Sequence, residues 1–387
     1  MTLRSIGERV GKRVGPGFGL EVLFLWLLMT SCVGYDPRPI TPAGALDDFV
    51  GRRLDGSELT EFLRASQGIA DWPPSVWDLH ALTLAAFYYS PLLDVARAQW
   101  GVARGGVITA GGRPNPAFKG AVGFNSTTSR DVITPWIPDV ALDIPIEVAG
   151  KRGIRIARAR HLSEAARLNI LSEAWRVRRR VRQAALALYA SHQTDSLLTA
   201  ERAIQTEIVD ILERQRAVGE VSAYETTQAR VALSASRIAA AAAAQARSRA
   251  RSGLADAIGV PPVALDEATL SLRDLGRVVL DLPSREIRRQ ALVNRSDILG
   301  GLLEYEASQS ALQLEVRKQY PDFSLGPGYQ LDQGEAKWTL GLGLILPLFN
   351  RNRGPIAEAQ ARREEAGARF LALQSKVLGE LESAASS

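Results

Sequence analysis

Apolar and polar positions along this chain keep two different periods. Four short segments alternate strictly. In 338–346, Trp338, Leu340, Leu342, Leu344 and Leu346 fall on one side of an extended chain, and Thr339, Gly341, Gly343 and Ile345 on the other. In 136–144, Trp136, Val140, Leu142 and Ile144 oppose Asp139, Ala141 and Asp143. Phe118, Val122 and Phe124 alternate with Lys119, Ala121 and Gly123, and Phe323, Leu325, Tyr329 and Leu331 with Ser324, Gly326, Gly328 and Gln330. A period of two predicts strands with one apolar face and one small or polar face. Elsewhere the spacing is helical. Segments 79–107 and 285–319 read as helices rich in Ala, Leu and Glu. Pro114, Pro116 and Pro321 should end them, because proline lacks the amide that the next turn needs.

From Gly153 to about Ala217 the chain is helical by composition and carries no proline. At about 1.5 Å per residue that helix reaches on the order of 95 Å, far beyond a globular core. The segment Val218-Gly219-Glu220-Val221-Ser222 breaks it. Gly219 suits a left-handed helix end, and Ser222 with Glu225 three residues on has capping-box spacing. A second helix, running to Ala257 through the alanines 239–244, then returns. An antiparallel hairpin follows, with small residues that favour close packing.

The same order of signals occurs twice. Asn115-Pro116-Ala-Phe118, Trp136 and Ile144-Pro145-Ile146 are answered by Tyr320-Pro321-Asp-Phe323, Trp338 and Leu346-Pro347-Leu348. Ile156-Ala157-Arg-Ala159 matches Ile356-Ala357-Glu-Ala359, and Asp94-Val95 matches Asp297-Ile298. An ordered series of matches implies duplication. The chain therefore divides into a leader over 1–31, an extended segment over 32–75, a first repeat over 76–283 and a second over 284–387. The first repeat holds strands near 116–147 and the hairpin near 154–257. The second holds strands near 321–349 and a truncated helix.

Strands of roughly ten residues, apolar outside and polar inside, fit a transmembrane barrel. Four of them cannot close a sheet, and lipid forbids an open edge. Three chains would supply twelve strands, enough for a hollow barrel. On this reading Asp139, Asp143, Gly341 and Gly343 line the lumen.

The N-terminus decides the compartment. Arg4, Arg9, Lys12 and Arg13 precede an apolar run over 22–29, which Thr30, Ser31 and Cys32 close with small residues, as an export signal requires. Cys32 is the one cysteine of the chain, so it forms no internal disulfide. Its place after Met29-Thr30-Ser31 resembles a lipobox, which implies lipidation of Cys32; Val33 in place of an aspartate favours the outer membrane.

The net charge of +5 and the arginines of 151–182 raise a nucleic-acid reading. That stretch holds a single aromatic, Trp175, to stack on bases, and it follows an export signal, so a solvated helix face accounts for it. No nucleophile, base and orienter fall together, so no enzyme is expected. His80, His161 and His192 are scattered; His161 and Glu164 share a face but lack the further ligands a metal needs. No cofactor and no metal site are expected.

The lipobox-like start, the duplicated strand pattern, Gly219-Glu-Val-Ser222 and Leu254-Ala-Asp-Ala-Ile-Gly259-Val-Pro261 together resemble the TolC-like outer-membrane efflux protein family. Asp143-Ile-Pro-Ile-Glu147 followed by Gly150-Lys-Arg-Gly153 is similar to the branch serving resistance-nodulation-division pumps. The resemblance implies a homotrimer with a twelve-stranded barrel and an α-helical tunnel. It also implies outer-membrane lipid around the barrel, an inner-membrane pump, and a periplasmic adaptor meeting Gly219, Val221 and Ser222. The chain departs from the family in two places. Its second repeat lacks a long hairpin, and Ser296 stands where the family usually has proline. The alternatives are a non-conducting envelope lipoprotein, or a fragment of such a channel.

Overall fold

The computed structural model describes residues 34–67, 72–127, 133–272, 275 and 285–386. The leader over 1–31 and Cys32 lie outside them. The described residues fall into two units, the first ending at Gly51 and the second beginning at Arg52.

In the first unit, helix α1 spans Pro42–Val50. Thr41 caps it, its Oγ1 accepting from the Gly44 amide at 3.2 Å, with Pro42 in the first turn. Proline there costs nothing, because its missing amide would be unpaired anyway. In the second unit, α2 spans Ser57–Gln67 and presents Leu59 and Leu63, both fully buried. The extended reading of 32–75 is therefore corrected. Threonine-proline and the leucine spacing are helix signals that the polar composition of the stretch obscured.

Helix α3 (Leu79–Tyr89) begins at Asp78, which caps the Ala81 amide at 2.8 Å, and α4 (Pro91–Gly111) follows after one residue. A single helix over 79–107 was expected; Ser90 interrupts it with φ −74° and ψ 112°. The cause is Pro91, whose ring pushes the preceding residue out of the helical region. The second repeat breaks at the corresponding place without a proline. Helices α7 (Arg285–Asn294) and α8 (Ser296–Arg317) meet at Arg295, which has ψ 130°.

Helix α5 (Lys151–Ala217) is 67 residues long, and α6 (Ala223–Ile258) returns beside it. It starts slightly before the expected position, because Gly150, at φ 70°, makes the turn. The capping box is present: Ser222 Oγ accepts from the Glu225 amide at 3.3 Å, and Glu225 Oε2 accepts from the Ser222 amide at 2.8 Å. Gly219 has φ 86°; its amide donates to Arg216 O at 3.1 Å and that of Glu220 to Gln215 O at 3.0 Å. That pair of bonds is a Schellman ending, and the left-handed residue in it is cheapest as glycine.

The main core lies beside the middle of α5. Val177, Val181, Ala185 and Leu188 meet Leu82 and Ala85 of α3, Leu254 and Ile258 of α6, and Leu59 and Leu63 of α2. Each fully buried aliphatic here contributes roughly 1.5–3 kcal/mol. Arg52 ties two helix ends together, donating to Gly259 O at 2.7 Å and Tyr89 O at 3.3 Å. Beyond this core α5 and α6 continue alone as a two-helix arm. Toward its own N-terminus α5 packs on α4 and α8, and α9 (Arg353–Ser386) packs on α8.

The strands β1 (Ala117–Phe124), β2 (Trp136–Ile146), β3 (Phe323–Asp332) and β4 (Glu335–Leu344) form one antiparallel sheet in the order β1-β2-β3-β4. A two-residue turn, Gln333 at φ 54° and Gly334 at φ 100°, joins β3 to β4, as a type I′ hairpin requires. Of the expected second-repeat strand region, 345–349 is not strand.

The repeat extends to backbone detail. Phe118 pairs with Leu142, and its copy Phe323 pairs with Leu344, the copy of Leu142. Phe124 meets Trp136 at 4.9 Å between rings, and Tyr329 meets Trp338 at 4.9 Å. Both strand-to-helix joints carry two successive left-handed residues, Ala149-Gly150 and Arg351-Asn352.

Candidate membrane face and conduit wall

Register settles which side chains share a face, since directly paired residues point the same way. Asp143 pairs with Ala117, Asp139 with Ala121 and Gln330, Gly341 with Gly326, and Gly343 with Ser324. Asp139, Asp143, Gly341 and Gly343 thus lie on one face, as expected. Every charge within the strands, from Lys119, Asp139, Asp143, Asp332, Glu335 and Lys337, lies on that face too. The opposite face carries Phe118, Val122, Trp136, Leu142, Trp338, Leu340 and Leu342 and no charge at all.

That apolar face is bare in the single chain. Trp338 is 82% exposed, Leu340 75% and Phe118 71%. Large contiguous apolar surface of this kind signals a lipid or protein partner. The strands are 8 to 11 residues long, close to the ~9–11 that a tilted strand needs to cross a bilayer. The two Trp-centred ring pairs sit at the hairpin end, where an interfacial girdle belongs. Among the described residues no helix is long and apolar enough to cross a membrane.

The polar face is narrow-chained and partly neutralised. Lys119 Nζ sits 2.8 Å from Asp143 Oδ2, so this aspartate's charge is compensated, and Lys337 pairs with Asp332. Asp139 has no ion pair among the described residues. A negative lining therefore rests on Asp139 more than on Asp143. Gly326, Gly328, Gly341 and Gly343 leave this face low: a Cβ on Gly328 would lie 2.6 Å from Thr339 Oγ1, and one on Gly343 2.6 Å from Ser324 Oγ.

Below the sheet, the Glu147-to-Gly153 motif forms the joint with the helices. Lys151 is buried; its Nζ lies 2.8 Å from Asp322 Oδ1 and donates to Tyr320 O at 2.7 Å. Asp322 Oδ1 also accepts from the Val148 amide at 2.9 Å. Glu147 pairs with Arg155, whose Nη2 donates to Gly112 O, while Arg152 Nε donates to Gly111 O at 2.8 Å. One short stretch thus fixes the ends of α4, β2 and the start of β3. Sequence reasoning missed this clamp, because Lys151 and Asp322 belong to different repeats. Their positions relative to the two proline-bounded strands were its available signal.

Ser296, which stands where the family usually has proline, has a partner. Its Oγ is 2.9 Å from that of Ser172, a buried residue of α5. At the far end, Gly219 and Ser222 are exposed and Val221 is half-buried at the tip of the arm. The exposed side chain of Val218 adjoins them. Glu164 accepts from Arg167 Nε at 2.8 Å.

The sheet thus has one charged face and one bare apolar face, and it is carried on helices longer than any core needs. A sequence profile of the outer membrane efflux protein family matches residues 86–260 of the chain. Over 282 residues, 72% of the chain, it is 25% identical to the cobalt-zinc-cadmium resistance protein CzcC of Cupriavidus metallidurans. That match spans 65% of the relative, so less than two thirds of its length is represented. Among solved structures, the chain is similar to the outer membrane protein VceC of Vibrio cholerae, with TM-score 0.63 and 21% identity over 78% of this chain and 76% of that one. A membrane protein of Pseudomonas aeruginosa gives TM-score 0.68 and 16% identity over 91% and 82%.

Proposed function

We propose that this chain is one subunit of an outer-membrane efflux channel, a passive exit duct for small toxic solutes, drugs or metal ions. It does no chemistry of its own. The observation that carries this reading is the sorting of the sheet: all strand charges on one face, an exposed apolar surface on the other, and two outer strands whose outer edges pair with no strand among the described residues. Lipid satisfies the apolar face, water the charged one, and further copies the edges. Three copies supply twelve strands. Two would supply eight, whose interior side chains generally fill, and here that interior would be lined by charged residues among glycines and alanines.

Metal ions are the favoured cargo class, because the curated relative is named for cobalt, zinc and cadmium resistance. The chain holds no resident metal site in this proposal; the ions are cargo. Cys32 carries the lipid that fixes the N-terminus to the membrane. The α5–α6 arm reaches into the periplasm, and its tip, Gly219, Val221 and Ser222, meets an adaptor that links the duct to an inner-membrane pump.

Purified protein in planar bilayers tests the core of the reading. Stepwise conductance supports it. Insertion without any channel events would overturn it in favour of a non-conducting envelope lipoprotein.

A further inference from the structure

One face of α5 reverses the usual amphipathic pattern. Trp175, Arg178, Arg179 and Arg182 stand at positions i, i+3, i+4 and i+7, the spacing that normally carries a core-facing apolar stripe. Here all four are exposed, Trp175 at 63%. Arg179 lies two residues from both Val177 and Val181, about 200° round the helix from each, so the row runs opposite the core. The Arg178 guanidinium sits 5.0 Å from the centre of the Trp175 ring, which holds it in the row. Neighbouring arginines have partners: Arg176 pairs with Glu173 and Arg180 with Asp256. Arg178, Arg179 and Arg182 have no ion pair among the described residues. Between Glu173 and Asp195 α5 carries no acid, and the acids of α6 are Glu225 and Asp256 alone. Asp195 is itself bound by Arg247.

We propose that this row is a binding site for polyvalent anions, solutes that bear phosphate or several carboxylate groups, on the inner wall of the duct. This rests on the channel reading above and adds an anionic class of ligand to it. In a closed tube of helices each helix gives its flanks to neighbours, one face outward and one inward. At this level α6 takes one flank of α5, through Arg180 and Asp256. Helices α2 and α3, with Leu265, pack on the face that holds Val177, Val181 and Leu188. That added layer belongs outside, since inside it would fill the passage. The row opposite then faces the water within, and further copies bring their rows to the same level.

Charge and geometry fit such a ligand. Like charges three and four residues apart on a helix repel, and an anion bridging them removes that repulsion. A guanidinium offers parallel N–H donors to two oxygens of a phosphate or carboxylate, a match that a halide ion cannot use. Trp175 presents a ring face to any planar part of the solute. The row also stands apart from the acidic side of the sheet. It lies on the order of 40 Å along the helix from the start of α5, several times the ~8 Å over which salt screens charge. It therefore acts independently of Asp139, attracting anions where the sheet attracts cations. Anions held there offset the wall's charge for a passing metal ion.

Tripolyphosphate and the full-length protein test the proposal through two readouts. Calorimetry on the detergent-solubilised protein measures binding, and current through planar bilayers measures block. The parent should bind the anion, and its current should fall as the anion is added. Arg178→Gln, Arg179→Gln and Arg182→Gln together should weaken binding and block at least tenfold, with the helical circular dichroism of the parent retained. Lysine at the same three positions keeps the charge without the planar fork, so it should fall between the two. Arg176→Gln with Arg180→Gln should leave both readouts as they were. No binding by the parent, or equal binding by the parent and the glutamine variant, would overturn the site. Binding that needs the three arginines yet leaves an open channel unblocked would overturn its place on the inner wall. No current from any variant would overturn the channel reading beneath it, and calorimetry would still decide the site.

Discussion

Ser222 and Gly219 show how much a single residue decides in a hairpin whose tip touches no core. The capping box closes the start of α6, and the Schellman ending closes α5. Replacing Ser222 by alanine should cost about 1 kcal/mol of hairpin stability, as caps of this kind do. Gly219→Ala forces a side chain into φ 86° and should cost roughly 1–2 kcal/mol. Amide hydrogen exchange at the tip measures both, and unchanged protection in either variant would contradict the argument. These positions were legible from the sequence because caps are local. Asp297 was visible only as half of a repeat match. The Arg295 guanidinium binds it through two contacts, 2.7 and 3.0 Å, and holds its carboxyl below the usual carboxylate range. Lowered in the folded state, it contributes stability above the unfolded value of about 3.9, and that contribution fades as pH falls through the folded value. Asp297→Asn should therefore destabilise at neutral pH and match the parent in strong acid. Unfolding followed at both pH values checks the sign.

At the scale of elements, period placed all four strands, and composition and caps placed both arms of the hairpin. These signals failed where a neighbour or a backbone joint overrode them. The break at Ser90 was readable from Pro91, but the helix-favouring residues on either side masked it. The break at Arg295 has no proline and is held by its ion pair to Asp297, which composition does not announce. The helices α1 and α2 were missed because caps and two leucines carry them rather than a long apolar stripe. The Lys151–Asp322 clamp joins residues far apart in the chain and could not be read from either one alone. The two faces of the sheet give the sharpest test at this scale. Leu340→Arg places a charge on the bare apolar face and should cost ~2–4 kcal/mol near the bilayer middle. Thr339→Arg, one residue away on the charged face, should be tolerated. Folding into lipid vesicles, followed by heat-modifiable migration, separates them; equal behaviour would contradict the assignment of faces.

For the whole molecule, the four strands, the long helical hairpin and their duplicated order were legible in the sequence, because three kinds of pattern agreed in order. The electrostatics of the candidate duct were not. Acidic residues outnumber lysines on the charged face, yet Lys119 and Lys337 offset two of them. Asp139 and Glu335 are left without an ion pair among the described residues, Asp139 within a strand and Glu335 at the hairpin end. Asp139→Asn should lower the preference for cations, read as a smaller reversal potential across a salt gradient, whereas Asp143→Asn should leave Lys119 uncompensated and shift it further.

The bare outer strands carry a hazard as well as a purpose. Strand edges that pair with no strand among the described residues, flanked by an exposed apolar face, are places where sheets add to one another. In water, without lipid or detergent, the chain should therefore associate, and mass measured with and without detergent checks this.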